Sequence, residues 1–214
     1  MALRDLVEDV PGFILAGTIW AYWVGAGRMI VWVRRRSRRP VGLVPKVARE
    51  RAMWIVWVPL TIAWNVLPAL ALVQHHAFLA VPRHFRADPV LSGLRWAASA
   101  AGLFCLLGTI RCWRCMGKNW RMGVMPDQRT ALVTTGPYAR VRHPIYALSV
   151  LLMLSSVVVV PTLPMMGVAA LHVGLTVMKA RNEERFLLES HGEVYAAYRR
   201  RTGGFFPRLG SPDP

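Results

Sequence analysis

The sequence predicts an all-α, polytopic integral membrane protein with about five transmembrane helices, the last two of which form a tight helical hairpin. Two observations support this fold class. Hydrophobic residues make up 54% of the 214-residue chain, and they fall into runs long enough to cross a bilayer. The net charge of +16 is concentrated in blocks between those runs. A soluble nucleic-acid binder would mix basic residues with other polar ones, so no nucleic-acid partner is expected.

The first three predicted helices lie in residues 1–112. Phe13 to Val33 contains a single charge, Ala52 to Val73 contains none, and Val90 to Ile110 contains one near its start. Each run therefore reaches the length of about 20 residues that a hydrocarbon core requires.

The fourth apolar stretch predicts the hairpin. Pro144 to Met178 is 35 residues long and has no Lys, Arg, Asp or Glu. As one helix it would measure roughly 50 Å, well beyond a core of about 30 Å. Pro161 and Pro164 lie near its middle, and proline interrupts helices. We therefore expect two short arms whose ends return to the same membrane face. The whole chain, residues 1–214, is predicted to be one membrane domain.

The distribution of Lys and Arg predicts the orientation. Arg34 to Arg51 holds eight, Arg111 to His143 holds seven, and the tail from Lys179 holds seven. The N-terminal segment and the Gln74–Pro89 loop hold one and two. By the positive-inside rule, five crossings place the N-terminus outside and the C-terminus in the cytoplasm, in a bacterial inner membrane.

The three cysteines predict no disulfide framework. Cys112 and Cys115 form a lone C-x-x-C without a second pair or nearby ligating histidines, and Cys105 stands alone. A packing role is favoured over a zinc or redox role, so no metal site is expected.

The hairpin is expected to bring two polar segments together at the cytosolic surface. One is "LVTTGPYARVRHPIY", Leu132 to Tyr146, and the other is "KARNEERFLL", Lys179 to Leu188. Gly136 before a proline fits a turn where the backbone passes close to another group. Pro144 suits the first turn of a helix, whose free N–H groups favour an anion such as a carboxylate.

The side chains of these segments are compatible with one nucleoside sulfonium ligand. Glu183 or Glu184 can accept hydrogen bonds from ribose hydroxyls or face a cation. Tyr138 and Tyr146 can stack on a ring or lie near a sulfonium. A carboxylate, a ribose, a purine and a sulfonium together describe S-adenosylmethionine.

Simpler interpretations of the same residues stay open. The tyrosines can be interfacial belt residues, and His143 can be a helix cap without a ligand. The two glutamates can pair with Arg181 or Arg185 as solvated surface charges.

Three segments carry a family resemblance: "MGKNWRMGV", "TALVTTGPYARVRHPIY" and "KARNEERFLLESHGEVYAAYRRRTGGFFPRL". Together they resemble the isoprenylcysteine carboxyl methyltransferase family and its bacterial relatives, and the phospholipid N-methyltransferases share much of the pattern. The similarity covers about residues 116–208. It implies an all-helical membrane methyltransferase whose cofactor-binding core comprises the cytosolic loop, the hairpin and the C-terminal tail.

The resemblance also implies S-adenosylmethionine as cofactor, in a cytosol-open pocket beneath a lipid-accessible tunnel. The turn glycine Gly136 joins the cofactor-binding set. The contacts carried over by position are Thr130, Ala131, Leu132, Val133, Tyr138, His143, Pro144, Ile145, Tyr146 and Glu183.

One position departs from the family. The family usually has an arginine one helical turn before its cofactor-binding glutamate, and this chain has Lys179 there, with Arg181 two residues on. Lysine keeps the charge but loses the bidentate fork that suits a carboxylate. We assign positioning of the methyl acceptor to Lys179 or Arg181. For a protonated amine acceptor, Glu184 or His143 is the candidate base.

The leading functional prediction is a membrane enzyme that methylates a lipophilic small molecule or lipid, with a carboxylate as one candidate acceptor. The membrane bilayer and this acceptor are its expected partners. A phospholipid-amine N-methyltransferase is the alternative within the same class. An NADPH-dependent, sterol-reductase-like enzyme is a second class, and a non-enzymatic membrane scaffold is the third.

Overall fold

The structure, a computed structural model, describes residues 9–37, 41–43, 48–73, 78–123 and 131–208. Its helices are α1 (Val10–Ser37), α2 (Ala48–Val73), α3 (Arg83–Ala87), α4 (Pro89–Met116), α5 (Pro144–Val159) and α6 (Leu163–Arg201). Short 3₁₀ helices cover Gly117–Asn119 and Gly136–Ala139. These described ranges contain no β-strand, although Val141 and Gly203 form an isolated parallel bridge. The predicted all-α class is therefore confirmed.

Within the described residues, four helices, α1, α2, α4 and α6, are long and apolar enough to cross a membrane. Only 22–33% of the residues in their most apolar windows are buried inside the protein. Large apolar side chains such as Ile55 and Phe104 are 77% and 71% exposed. Apolar surface on this scale is typical of helices that face lipid, because in water it would drive aggregation. The helices thus fit a polytopic membrane protein.

The long apolar stretch is divided where its prolines predicted a break. Helix α5 begins at Pro144, as expected, and has 16 residues. Residues 160–162 separate it from α6, whose first turn is capped by the Thr162 hydroxyl accepting a hydrogen bond from the Met165 N–H at 3.4 Å. Helix α6 then continues through its charged residues to Arg201, with non-helical angles at Gly192. It therefore runs well past Met178, where the apolar stretch ends.

The chain divides into two compact units, and each long helix contributes residues to both. The first unit comprises Met1–Val24, Val56–Leu107 and Ser149–Gly174. Among its described residues, the Trp64 indole N–H donates to the Ser156 hydroxyl at 3.0 Å. The Ser149 hydroxyl and His172 Nε2 are also 3.0 Å apart. These bonds satisfy polar groups in an otherwise apolar interior.

A buried ion pair joins three segments of the first unit. The Asp9 carboxylate accepts hydrogen bonds from Arg95 at 2.6 and 2.7 Å and caps the Gly12 N–H at 3.1 Å. The Arg95 Nε also donates to the Val159 carbonyl at 2.9 Å. Asp9 and Arg95 are 1% and 2% exposed, so the burial of each charge requires a partner. Arg95 is the close partner of Asp9, and the Arg86 Nε lies further away, at 3.8 Å.

The second unit comprises Gly25–Ile55, Gly108–Leu148 and Leu175–Pro214. It contains the described residues of both polar segments singled out in the sequence, at the beginning of α5 and in the second half of α6.

The buried pair predicts the effect of Arg95→Met. We expect the substitution to lower the free energy of unfolding by about 3 kcal/mol, because it removes both hydrogen bonds from Arg95 and leaves the buried Asp9 carboxylate only the more distant Arg86, whose Nε is 3.8 Å away. Denaturant titration in detergent micelles measures this change. The control is Arg200→Gln, which removes an exposed pair with Glu193 and should cost no more than about 1 kcal/mol. Equal stability of the two variants would contradict the prediction.

Candidate functional site

The turn before α5 rests against the C-terminal end of α4. Gly136 opens the 3₁₀ helix with a φ of 61°, a conformation that L side chains rarely adopt. A Cβ placed on Gly136 would lie only 3.1 Å from the Cys115 Sγ. The Cys115 thiol donates to the Thr135 carbonyl at 3.2 Å. The close approach expected at this glycine is therefore present, and it is made to a cysteine of the C-x-x-C pair.

The C-terminal tail pairs with the residues that immediately precede α5. The Arg142 and His143 N–H groups donate to the Gly203 and Gly204 carbonyls at 2.8 and 3.0 Å, and the Gly203 N–H returns a bond of 3.1 Å to the Arg140 carbonyl. A Cβ on Gly203 would lie 1.7 Å from a backbone oxygen, so no side chain fits there. The tail is thus fixed by backbone hydrogen bonds rather than by apolar packing alone.

Arg142 and Glu184 form the polar centre of this region. Arg142 donates from Nε to Glu184 Oε1 at 2.8 Å and from a terminal nitrogen to the Arg199 and Thr202 carbonyls. The same Glu184 oxygen lies 3.1 Å from His143 Nε2. Glu184 therefore connects α6 to the residues just before α5. Sequence reasoning chose Glu184 and His143 but missed Arg142.

Glu183 has a different environment from its neighbour. The Tyr146 hydroxyl donates to Glu183 Oε2 at 2.8 Å, and His143 Nδ1 lies 4.0 Å from the same oxygen. The rings of His143 and Tyr146 stack at 5.5 Å with 11° between their planes. The Glu183 side chain remains 34% exposed, compared with 18% for Glu184. The two adjacent carboxylates thus have different partners: Glu184 contacts Arg142 and His143, whereas Glu183 accepts a hydrogen bond from Tyr146.

Lys179 lies one helical turn before Glu183. Its ammonium donates to the Met122 carbonyl at 2.5 Å and lies 6.0 Å from the centre of the Tyr146 ring. Nearby, the Asn182 amide donates to Glu50 Oε1 at 3.2 Å, and Glu50 is only 3% exposed. Sequence reasoning missed Glu50, because nothing in the N-terminal half marks it as part of this cluster.

A cavity of about 110 Å³ lies among these side chains. The predicted site residues that line it are Ala131, Leu132, Val133, Tyr138, His143, Tyr146, Lys179 and Glu183. Other predicted residues are near it without being part of the lining: Gly136, Pro144, Ile145, Arg181 and Glu184. Thr130 lies outside the described residues. Arg181 is exposed, whereas Lys179 faces the cavity.

A second group of lining residues was not predicted. It comes from the C-terminal part of α6 and consists of Phe186, Leu187, His191, Tyr195 and Tyr198. Positions 187 and 191 precede the non-helical Gly192 and positions 195 and 198 follow it, and each pair has the spacing of one helix face. That local spacing is the signal that could have identified the group. Sequence reasoning placed this segment in the cofactor-binding core without naming any of these five side chains.

Tyr138 is held at the cavity wall by the same part of α6. The Tyr198 hydroxyl donates to the Tyr138 carbonyl at 2.6 Å. Burial raises the pKa of the Tyr138 phenol well above its usual value, with smaller contributions from surrounding groups that include Cys112 and Glu183. The phenol therefore keeps its proton at neutral pH and can act as a hydrogen-bond donor.

Comparisons with known proteins agree with the resemblance seen in the sequence. The family model of the isoprenylcysteine carboxyl methyltransferase (ICMT) family matches residues 100–189. This match confirms the resemblance to the ICMT family. The members of that family are membrane methyltransferases that use S-adenosylmethionine.

Two curated proteins are also similar. The cobalt-zinc-cadmium resistance protein CzcN of Cupriavidus metallidurans is 36% identical over 96 residues, which are 44% of each chain. The nickel-cobalt-cadmium resistance protein NccN of Alcaligenes xylosoxydans xylosoxydans is 29% identical over 115 residues, 53% of each chain. The chain thus spans about half the length of the curated relatives it matches.

The contacts of Arg142 predict the effect of Arg142→Lys. A lysine keeps the charge but cannot reach Glu184 and the tail carbonyls together, because it lacks the planar fork. We expect the free energy of unfolding to fall by about 2 kcal/mol, the value of one hydrogen bond to a charged group. Denaturant titration measures it, and Arg140→Lys, at an exposed position two residues away, is the matched control. A loss of the same size in both variants would contradict the assignment.

Proposed function

We propose that the protein is an integral membrane methyltransferase that transfers a methyl group from S-adenosylmethionine to a lipophilic acceptor. The observation that supports this most strongly is the convergence of His143, Tyr146 and Glu183 on one cavity. All three lie inside the segment that matches the family, residues 100–189. A membrane scaffold would have no need of this cluster.

The residues of the cavity suit each part of that cofactor. Glu183 is partly exposed and can accept hydrogen bonds from ribose hydroxyls. The free N–H groups at the beginning of α5 suit a carboxylate. Tyr146, whose hydroxyl donates to Glu183, lines the cavity with an aromatic ring of the kind that attracts a sulfonium. The cofactor supplies, when bound, a methyl group activated by attachment to a positively charged sulfur.

The chain's own contribution is to position the acceptor and to exclude water. Methyl transfer requires the acceptor atom to be held in line with the methyl group and its leaving sulfur, and the residues of the cavity would provide that alignment. An ionised carboxylate needs no base, and Lys179 is the cation placed to hold it. For an amine acceptor the base would be His143, which lines the cavity, rather than Glu184, which accepts hydrogen bonds from Arg142.

In the proposed arrangement α5 and the first part of α6 form an antiparallel hairpin within a set of five membrane-crossing segments. Earlier residues of the α5 region meet later residues of α6: Ser149 contacts His172, Tyr146 contacts Glu183 and His143 contacts Glu184. That order is expected for antiparallel helices. The basic blocks then favour a cytoplasmic C-terminus and cofactor site and an external N-terminus in a bacterial inner membrane.

Binding of S-adenosylhomocysteine tests the cofactor assignment. We expect calorimetry of the detergent-purified protein to show saturable binding, and Glu183→Gln to weaken it by about tenfold or more, because the uncharged amide is a poorer acceptor for ribose hydroxyls. The matched control is Glu189→Gln, at an exposed position of the same helix. NADPH is the parallel ligand. Binding of NADPH in place of S-adenosylhomocysteine would favour the reductase alternative.

The identity of the acceptor is tested at Lys179. If the acceptor is a carboxylate, Lys179→Arg restores the bidentate fork and should lower the KM for N-acetyl-S-farnesylcysteine severalfold. Lys179→Met should raise it, because the cation is lost. Radiolabelled methyl incorporation measures both. If methylation of this compound is undetectable in every form while an amine lipid such as phosphatidylethanolamine accepts the label, the acceptor is an amine.

A further inference from the structure

Two phenols in the cavity wall have hydroxyl groups without a partner. Tyr138 and Tyr195 are 6% and 1% exposed and both line the cavity. Neither hydroxyl makes a hydrogen bond to any of the residues that the structure describes. Buried side-chain polar atoms are satisfied in the large majority of cases, and an unsatisfied one is destabilising. These two hydroxyls therefore require an explanation.

Neighbouring phenols of the same wall are satisfied. The Tyr198 hydroxyl donates to the Tyr138 carbonyl, and the Tyr146 hydroxyl donates to Glu183. The unpaired hydroxyls are thus not a general feature of this region. Of the four tyrosines that line the cavity, two have an acceptor within the protein, whereas Tyr138 and Tyr195 have none among the described residues, which points to an acceptor supplied by the ligand.

The backbone places Tyr195 for such a role. Gly192 has a φ of 52° and a ψ of −128°, which interrupts α6 three residues earlier and redirects its last turns. The Tyr195 ring packs against Tyr198 at 6.0 Å, and Tyr198 is itself held by Tyr138. The phenol is therefore supported by its neighbours before any ligand binds, which lowers the entropic cost of recognition.

The position of Tyr195 along α6 indicates which part of the ligand it contacts. Lys179 and Glu183 come first and serve the acceptor and the ribose in the proposed function. Beyond them the wall becomes more apolar and aromatic, with Phe186, Leu187 and His191 before Tyr195. A planar heteroaromatic base suits such a wall, and its ring nitrogens accept hydrogen bonds from a neutral donor.

We infer that Tyr195 is a specificity-determining residue whose hydroxyl donates a hydrogen bond to the purine of the bound nucleoside, with Tyr138 as a second donor to the same ligand. The inference rests on the proposed function. It adds that this end of the cavity recognises a hydrogen-bond-accepting ring nitrogen of the purine. Because the described residues offer the Tyr195 hydroxyl no hydrogen-bond partner, removal of the hydroxyl should affect binding and stability in opposite ways.

The test compares Tyr195→Phe with Tyr198→Phe. Calorimetry with S-adenosylhomocysteine and with 5′-methylthioadenosine, which lacks the amino-acid part, measures affinity, and thermal unfolding without ligand measures stability. For Tyr195→Phe we expect about tenfold weaker binding of both compounds, with an unchanged or higher melting temperature. For Tyr198→Phe we expect a lower melting temperature, because its hydroxyl has a partner within the protein.

Each remaining outcome counts against the inference. Wild-type affinity in Tyr195→Phe, or weaker binding accompanied by a lower melting temperature, would overturn the role of the hydroxyl. Weaker binding of S-adenosylhomocysteine with unchanged binding of 5′-methylthioadenosine would show that the hydroxyl reads the amino-acid part instead. Failure of the wild-type protein to bind either compound would overturn the proposed function itself, and with it a purine ligand.

Discussion

The ion pair between Arg142 and Glu184 is the interaction on which the rest of the site depends. It joins the residues before α5 to α6, and Arg142 extends it to the tail through the Arg199 and Thr202 carbonyls. Consecutive residues of an α-helix point about 100° apart, so Glu184 can face this structural centre while Glu183 faces the cavity. The doubled glutamate is thus explained by geometry. One carboxylate holds the framework, and the other stays partly exposed for a ligand.

The C-terminal tail connects this ion pair to the part of the cavity that the end of α6 lines. Its backbone bonds with Arg142 and His143 end α6 at a defined place, and the Gly192 break lets the last turns redirect. As a result, Tyr198 reaches the Tyr138 carbonyl. The cavity is therefore enclosed by segments that are far apart in sequence, which is why a motif centred on residues 132–146 describes only part of it.

Local physical chemistry explains which features could be predicted. The beginning of α5 at Pro144, the turn at Gly136 and the break near Pro161 follow from backbone restrictions of single residues. The length of α6 could not be predicted in this way. Hydropathy identifies only its apolar stretch, whereas charged residues with high helix propensity continue the helix beyond that stretch. Glu50 and Tyr195 were not predicted as site residues, because each reaches the site through tertiary contacts. No local sequence pattern specifies which distant segment a side chain will contact.

Under the proposed function, the electrostatics around Lys179 bear on the choice of methyl acceptor. Its ammonium is already bound to the Met122 carbonyl, and both Glu183 and Glu50 act on it electrostatically. A carboxylate acceptor would have to compete with these groups for a compact cation that offers no bidentate fork. An arginine would keep donors available for a second partner. Under the proposed function, the lysine therefore makes a carboxylate acceptor less favoured than an arginine would. The buried Glu50 carboxylate of α2 contributes to this effect, because it acts on the Lys179 ammonium.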